Sequence, residues 1–185
     1  MDSAEIIEIL EARNAFVHGH FIAPDGRHTD MDFCLVKALQ FPPYCRKIAY
    51  EIVKHYWDMD IQLVISVRLG GVLLAAEIAR QLEARVVYTR STHIDDEPEL
   101  LKGFEIHAGD RVLLIDEILT DDIYHFKTIA KKVLKEDARL VGIGVAIDLS
   151  TQPNIMNVRQ ISALQMKRNI WPADECALCR AGEKF

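Results

Sequence analysis

The sequence predicts an α/β protein built on one mainly parallel sheet with helices on both faces. Short apolar stretches at 63–67, 85–89, 111–115 and 140–147 read as strands, with helix-period segments at 72–82 and 123–134 interposed. Parallel neighbours need crossover connections, and an uninterrupted apolar strand is one buried on both faces. Half of the 185 residues are hydrophobic, enough for one compact domain with a sizeable core. The longest apolar runs, 112–115 and 141–147, fall far short of the roughly 20 residues that cross a bilayer, so no membrane partner is expected.

Taken in order, Ile6, Ile7 and Leu10, with Phe16 beyond them, follow a helical period behind Ser3, a capping hydroxyl, with Glu5 and Glu8 near the positive end of the dipole. The acidic start of the chain is unlike a basic, then apolar, secretory signal, and predicts a cytoplasmic protein. Residues 16–22 read as a strand that turns at Ala23-Pro24-Asp25-Gly26 into a hairpin. After Pro42-Pro43 a helix carrying Ile48, Ile52, Val53 and Tyr56 runs toward the polar segment 58–60. The strand and helix alternation then begins.

The 22 basic and 28 acidic residues leave a net charge of −6, which argues against a nucleic-acid partner and for a small molecule or protein. Cys34, Cys45, Cys176 and Cys179 are too few for a disulfide framework and are expected as thiols. Cys176 and Cys179 supply two ligands of a tetrahedral zinc site that Cys34, Cys45 or a histidine would have to complete, and two ligands alone assign no metal.

Ligands of such sheets bind at the carboxyl ends of the strands. After the 111–115 strand, Asp116 and Glu117 stand next to one another before a helix start, either as cap and solvated loop or as groups that hold a ligand. After the 63–67 strand comes Arg68-Leu69-Gly70-Gly71, where glycines allow close backbone approach and arginine offers a charged fork. On its own that tetrapeptide is also an ordinary strand-to-helix turn.

The run from Leu113 through Thr120, four apolar residues counting back from Asp116, an acid pair, two apolar residues and Thr, resembles the phosphoribosyl-diphosphate (PRPP) motif of type I phosphoribosyltransferases. Gly26-Arg27-His28-Thr29-Asp30 resembles a segment of orotate phosphoribosyltransferases, and Cys176-Ala177-Leu178-Cys179 a tail found in some bacterial and archaeal members. The resemblance implies one domain over 1–185, with 46–150 as core and 1–45 with 155–185 as a hood. It implies transfer of the 5-phosphoribosyl group from PRPP to a nucleobase, in pyrimidine nucleotide biosynthesis or salvage, with Mg²⁺ and in a homodimer. Asp116 and Glu117 would be the catalytic pair on the ribose hydroxyls. Thr120, Asp121, Asp122 and Ile123 would lie at the 5′-phosphate, and Arg68, Gly70 and Gly71 at the diphosphate.

Three departures accompany the resemblance. Asp121, Asp122, Ile123 and Tyr124 replace small residues and a hydroxyl, so acids stand where a phosphate would land; at about 4 Å each costs about 1 kcal/mol in water and about 4 at an effective dielectric near 20. The loop at 91–101 holds Asp95, Asp96, Glu97 and Glu99 against the single His93, although a departing diphosphate needs cations. Leu149 takes the place of the family's arginine beside the pyrimidine. Two readings follow: a PRPP-dependent transferase, or a catalytically weakened paralogue acting as a nucleoside-binding or protein-interaction module.

Overall fold

Leu63, Val64, Ile65 and Ser66 have no solvent exposure, as a strand covered on both faces requires. In the computed structural model, which describes residues 3–23, 25–90, 97–151 and 156–185, these four residues form β3 (Leu63–Ser66) at the centre of a six-stranded sheet. After the N-terminal strands β1 (Phe16–Ile22) and β2 (His28–Phe33), the remaining strands are β4 (Arg85–Arg90), β5 (Glu99–Leu100), β6 (Arg111–Leu119), β7 (Arg139–Asp148), β8 (Arg159–Gln165) and β9 (Ile170–Trp171). The order in the large sheet is β5-β4-β3-β6-β7-β8, parallel throughout except for β5.

Alternate residues of the central strands feed two apolar layers. Val64, Leu113 and Ile115 pack with Ile6 and Leu10 of α1 (Ser3–Ala12), Ile48 and Ile52 of α3 (Pro42–Val53), and Leu74 and Ile78 of α4 (Val72–Leu82). The short α2 (Val36–Leu39) adds Ala38 and Leu39 to the same layer. Leu63, Ile65, Val112 and Leu114 face the other way, onto Phe126, Ile129 and Val133 of α5 (Tyr124–Lys135). Fully burying each such side chain stabilises the fold by roughly 1.5–3 kcal/mol.

The boundaries follow local chemistry. Pro42 and Pro43 open α3, where a missing N–H is harmless. Glu83, in the left-handed region at φ 55°, closes α4 with its N–H on the Ala79 carbonyl. Ser3 is itself the first helical residue of α1, so it lies inside the helix that it was expected to precede. Tyr56 lies beyond α3, fully buried, with its hydroxyl 2.8 Å from the Ile143 carbonyl and 2.9 Å from that of Arg159. A side chain on Gly142 would overlap that hydroxyl.

A second, three-stranded antiparallel sheet, β1-β2-β9, forms the hood. The Asp30 carboxylate ties it to the segment before β9 by accepting from the Asn169 N–H at 2.9 Å and its side-chain amide at 2.6 Å. Within 155–185, β8 pairs in parallel with β7 and so belongs to the large sheet. Likewise α1 and α2, within 1–45, pack into the core. No described helix is long and apolar enough to cross a membrane.

Candidate functional site

β6 continues four residues beyond the predicted end at Ile115, since β7 keeps pairing with it as far as Leu119 opposite Asp148. Asp116 and Glu117 are therefore strand residues. Asp116 has no solvent exposure; its Oδ2 accepts from Arg68 Nε at 2.5 Å and its Oδ1 from the Glu117 N–H at 2.8 Å. Burial pushes its carboxyl pKa up, and the Arg68 charge pulls against that rise. Glu117 is half-buried, and its pKa is raised by burial first and by the Asp116 charge second.

The turn after β3 shapes the floor. Ser66 Oγ donates to the Arg68 carbonyl at 2.7 Å, and the Gly71 N–H donates to the same carbonyl at 3.2 Å. A Cβ on Gly70 would lie 2.2 Å from Glu117 Oε1, and one on Gly71 would lie 2.9 Å from Asp116 Cα. These glycines let the turn press against the acid pair. Arg68 spans both segments, donating also to the Ile118 carbonyl at 2.7 Å.

In the turn between β6 and α5, Thr120 Oγ1 accepts from the Asp122 N–H at 3.2 Å, and Asp122 Oδ1 accepts from the Tyr124 N–H at 3.1 Å. Asp122 thus satisfies an amide at the start of α5. Asp121 does something else: its carboxylate accepts from the Thr151 N–H at 2.8 Å and the Thr151 hydroxyl at 3.0 Å, tying the turn to the segment after β7. Ile123 is buried in the α5 layer.

Above this turn, between hood and core, lies a cleft of about 730 Å³ lined by Arg27 and Asp25 from the hairpin, Arg168 and Ile170 from the hood, and Arg68, Thr120, Asp122, Tyr124 and His125 from the core. Three arginines face two aspartates there. The hydrogen bond from Arg27, at 2.7 Å, holds the Asp25 carboxyl below its ordinary range. Burial, followed by the nearby Arg27 charge, lowers the Arg168 pKa. Such a surface attracts anions.

Of the residues chosen from sequence, Arg68, Gly70, Gly71, Asp116, Glu117, Thr120 and Asp122 converge at this edge of the sheet. Asp121 is turned onto Thr151, although its charge still reaches Arg168, and Ile123 serves the core. Arg27, His125 and Arg168 had not been singled out individually; Arg27 lay within the Gly26–Asp30 resemblance, whereas Arg168 follows a segment with no motif. Leu149 is buried in the core, its N–H on the Leu119 carbonyl at 2.9 Å. His93, Asp95 and Asp96 lie outside the described residues, Glu97 pairs with Lys132 at 3.3 Å, and Glu99 is exposed in β5.

No family model matches the chain. An orotate phosphoribosyltransferase of Caldanaerobacter subterraneus is 28% identical over 182 residues, covering 98% of this chain and 94% of the relative. The orotate phosphoribosyltransferase of Aeropyrum pernix superimposes with a TM-score of 0.65 at 19% identity, over 87% of this chain and 93% of that one. The UMP synthase of Leishmania donovani gives a TM-score of 0.71 at 17% identity over 90% of this chain, which spans only 37% of that longer protein. The fold is that of the type I phosphoribosyltransferases. Within that class, the full-length sequence likeness runs to the orotate phosphoribosyltransferases.

Proposed function

We propose that the protein is an orotate phosphoribosyltransferase-like enzyme that transfers the 5-phosphoribosyl group of PRPP to a nucleobase. The observation that carries this reading is the cationic cleft, in which Arg27, Arg68, Arg168 and His125 surround the Thr120–Asp122 turn. PRPP is a polyanion, and three guanidiniums at one cleft, Arg27 paired there with Asp25 and Arg68 with Asp116, offer it charge-assisted hydrogen bonds that a neutral nucleoside cannot match.

In this reading Glu117 orients the ribose hydroxyls, while Asp116 acts one step behind, fixing Arg68 for the diphosphate. Catalysis comes from holding the reacting carbon in line and from stabilising negative charge on the leaving diphosphate. The carboxylate of Glu117 is a hard oxygen donor that fits Mg²⁺, which would supply charge neutralisation on the phosphates when bound. The working unit is a homodimer in the cytoplasm, as the resemblance implies. The nucleobase is one held without an arginine at position 149, since Leu149 is given to the core.

The Asp122 cap on Tyr124 N–H and the Asp116–Arg68 pair favour the second reading, a nucleoside-binding module, because both occupy groups that a phosphate and a ribose would use. Calorimetric titration separates the two. PRPP with Mg²⁺ binding more tightly than any nucleoside, with diphosphate released when a base is added, supports the transferase. Nucleoside binding that a 5′-phosphate does not improve overturns it.

A further inference from the structure

Away from the acid pair, the inner face of the hood gathers four side chains whose proximity the transferase reading does not use. His20 is 3% exposed, His28 8% and Cys176 1%, and Cys179 closes the group at the surface. Nε2 of His20, Nδ1 of His28 and the two Sγ atoms all lie within 4.8 Å of one another. His20 Nε2 is 3.1 Å from His28 Nδ1, 3.4 Å from Cys176 Sγ and 3.6 Å from Cys179 Sγ, and Cys179 Sγ is 3.3 Å from His28 Nδ1.

These four separations match edges of a tetrahedron, and the remaining two lie within 4.8 Å. With metal–nitrogen bonds of about 2.0–2.1 Å and metal–sulfur bonds of about 2.3 Å, a zinc tetrahedron has N···N edges of about 3.4 Å and N···S edges of about 3.5 Å. The tautomer fits as well. His20 Nδ1 sits 2.9 Å from the Glu183 carbonyl, which can only accept, so Nδ1 carries the proton and Nε2 presents its lone pair to the group. Three neighbours crowd that single lone pair, which one proton cannot satisfy but one cation can. The Cys179 N–H points at Cys176 Sγ from 3.5 Å. The Phe185 ring covers both imidazoles, at 4.1 and 5.1 Å between centroids.

We propose that His20, His28, Cys176 and Cys179 form a structural zinc site that clamps the segment after β9 to the β1–β2 hairpin. Two nitrogens and two sulfurs in tetrahedral array suit zinc, and four protein ligands leave no open position for chemistry. The register of β1 against β2 shifts between His18 and Phe21, the stretch that carries His20.

The test uses the full chain. Protein from zinc-supplemented growth carries one zinc per chain by mass spectrometry of the metal. Removal and replacement with Co²⁺ yields the visible absorption of a tetrahedral thiolate site, and chelation lowers the melting temperature. Cys176→Ser and His20→Ala lose the metal, whereas Cys34→Ser, outside the group, retains it. Folded wild-type protein that holds only substoichiometric zinc and develops no such absorption with Co²⁺ overturns the proposal. So does a Cys176–Cys179 disulfide in the natively purified chain, or full metal retention by both variants. PRPP binding is measured separately, so failure of the transferase reading leaves this result untouched.

Discussion

Asp116 hands both carboxylate oxygens to the protein, one to Arg68 and one to the Glu117 amide, whereas the Glu117 carboxylate lies against Gly70 at the edge of the cleft. The Glu117 pKa is raised in the folded state, so between its ordinary value of 4.5 and the raised one the native protein binds more protons than the unfolded chain. Stability therefore declines as pH rises through that window. Glu117→Gln removes the charged form and should make the protein more stable than the wild type at pH 7, by roughly 0.5–2 kcal/mol, with a higher melting point. The difference should vanish below the window, while affinity for a ribose-bearing ligand falls at least about tenfold, about 1.4 kcal/mol; thermal scans across pH with calorimetry check both. The two aspartates of the next turn should part company. Asp122→Ala loses a cap, costing about 0.5–2 kcal/mol, and frees an amide, so PRPP binding should tighten. Asp121→Ala should change PRPP affinity much less, because its carboxylate serves Thr151. Equal effects of the two would show that the turn rearranges on binding.

At the scale of elements, the turn from β3 into α4 contains two adjacent glycines with different obligations. The nearest obstacle to a methyl group on Gly70 is the far end of the flexible Glu117 side chain, so Gly70→Ala should fold normally but displace that carboxylate and weaken ligand binding. At Gly71 the obstacle is the Asp116 backbone within the central strand, so Gly71→Ala should cost about 1–3 kcal/mol in denaturant titrations. The sequence of β3, α4, β4, β6, α5 and β7 was legible because buried parallel strands are apolar throughout and their helices carry a clean period, whereas β5 fell inside the acidic stretch read as a loop. β8 was not: in Arg159–Gln165 only Leu164 is buried, so an edge strand of mixed polarity left no pattern. The length of β6 was hidden for a related reason, since Asp116 breaks the apolar run while its ladder to β7 continues. The acid pair and the Arg68–Gly71 turn were readable from local spacing. Arg168 was not, because it reaches the cleft only through the pairing of β9 with β2.

For the molecule as a whole, sedimentation should give twice 21.1 kDa if the proposed homodimer is the working unit, and a clean monomer at micromolar concentration would exclude it. The hood has a further property that follows from its strand order alone. Its hairpin leaves the ribosome early, yet the strand that completes the sheet arrives far later, with the Asp30–Asn169 contact spanning 139 positions. Closing so long a loop is entropically slow, and a two-stranded ribbon is marginal by itself. The newborn hairpin must therefore wait, its outer edge unpaired, while β3, β4, β6 and β7 assemble beside it. The cleft acquires its roof only in that last step, so a nascent chain can assemble its four central strands well before it can hold a ligand.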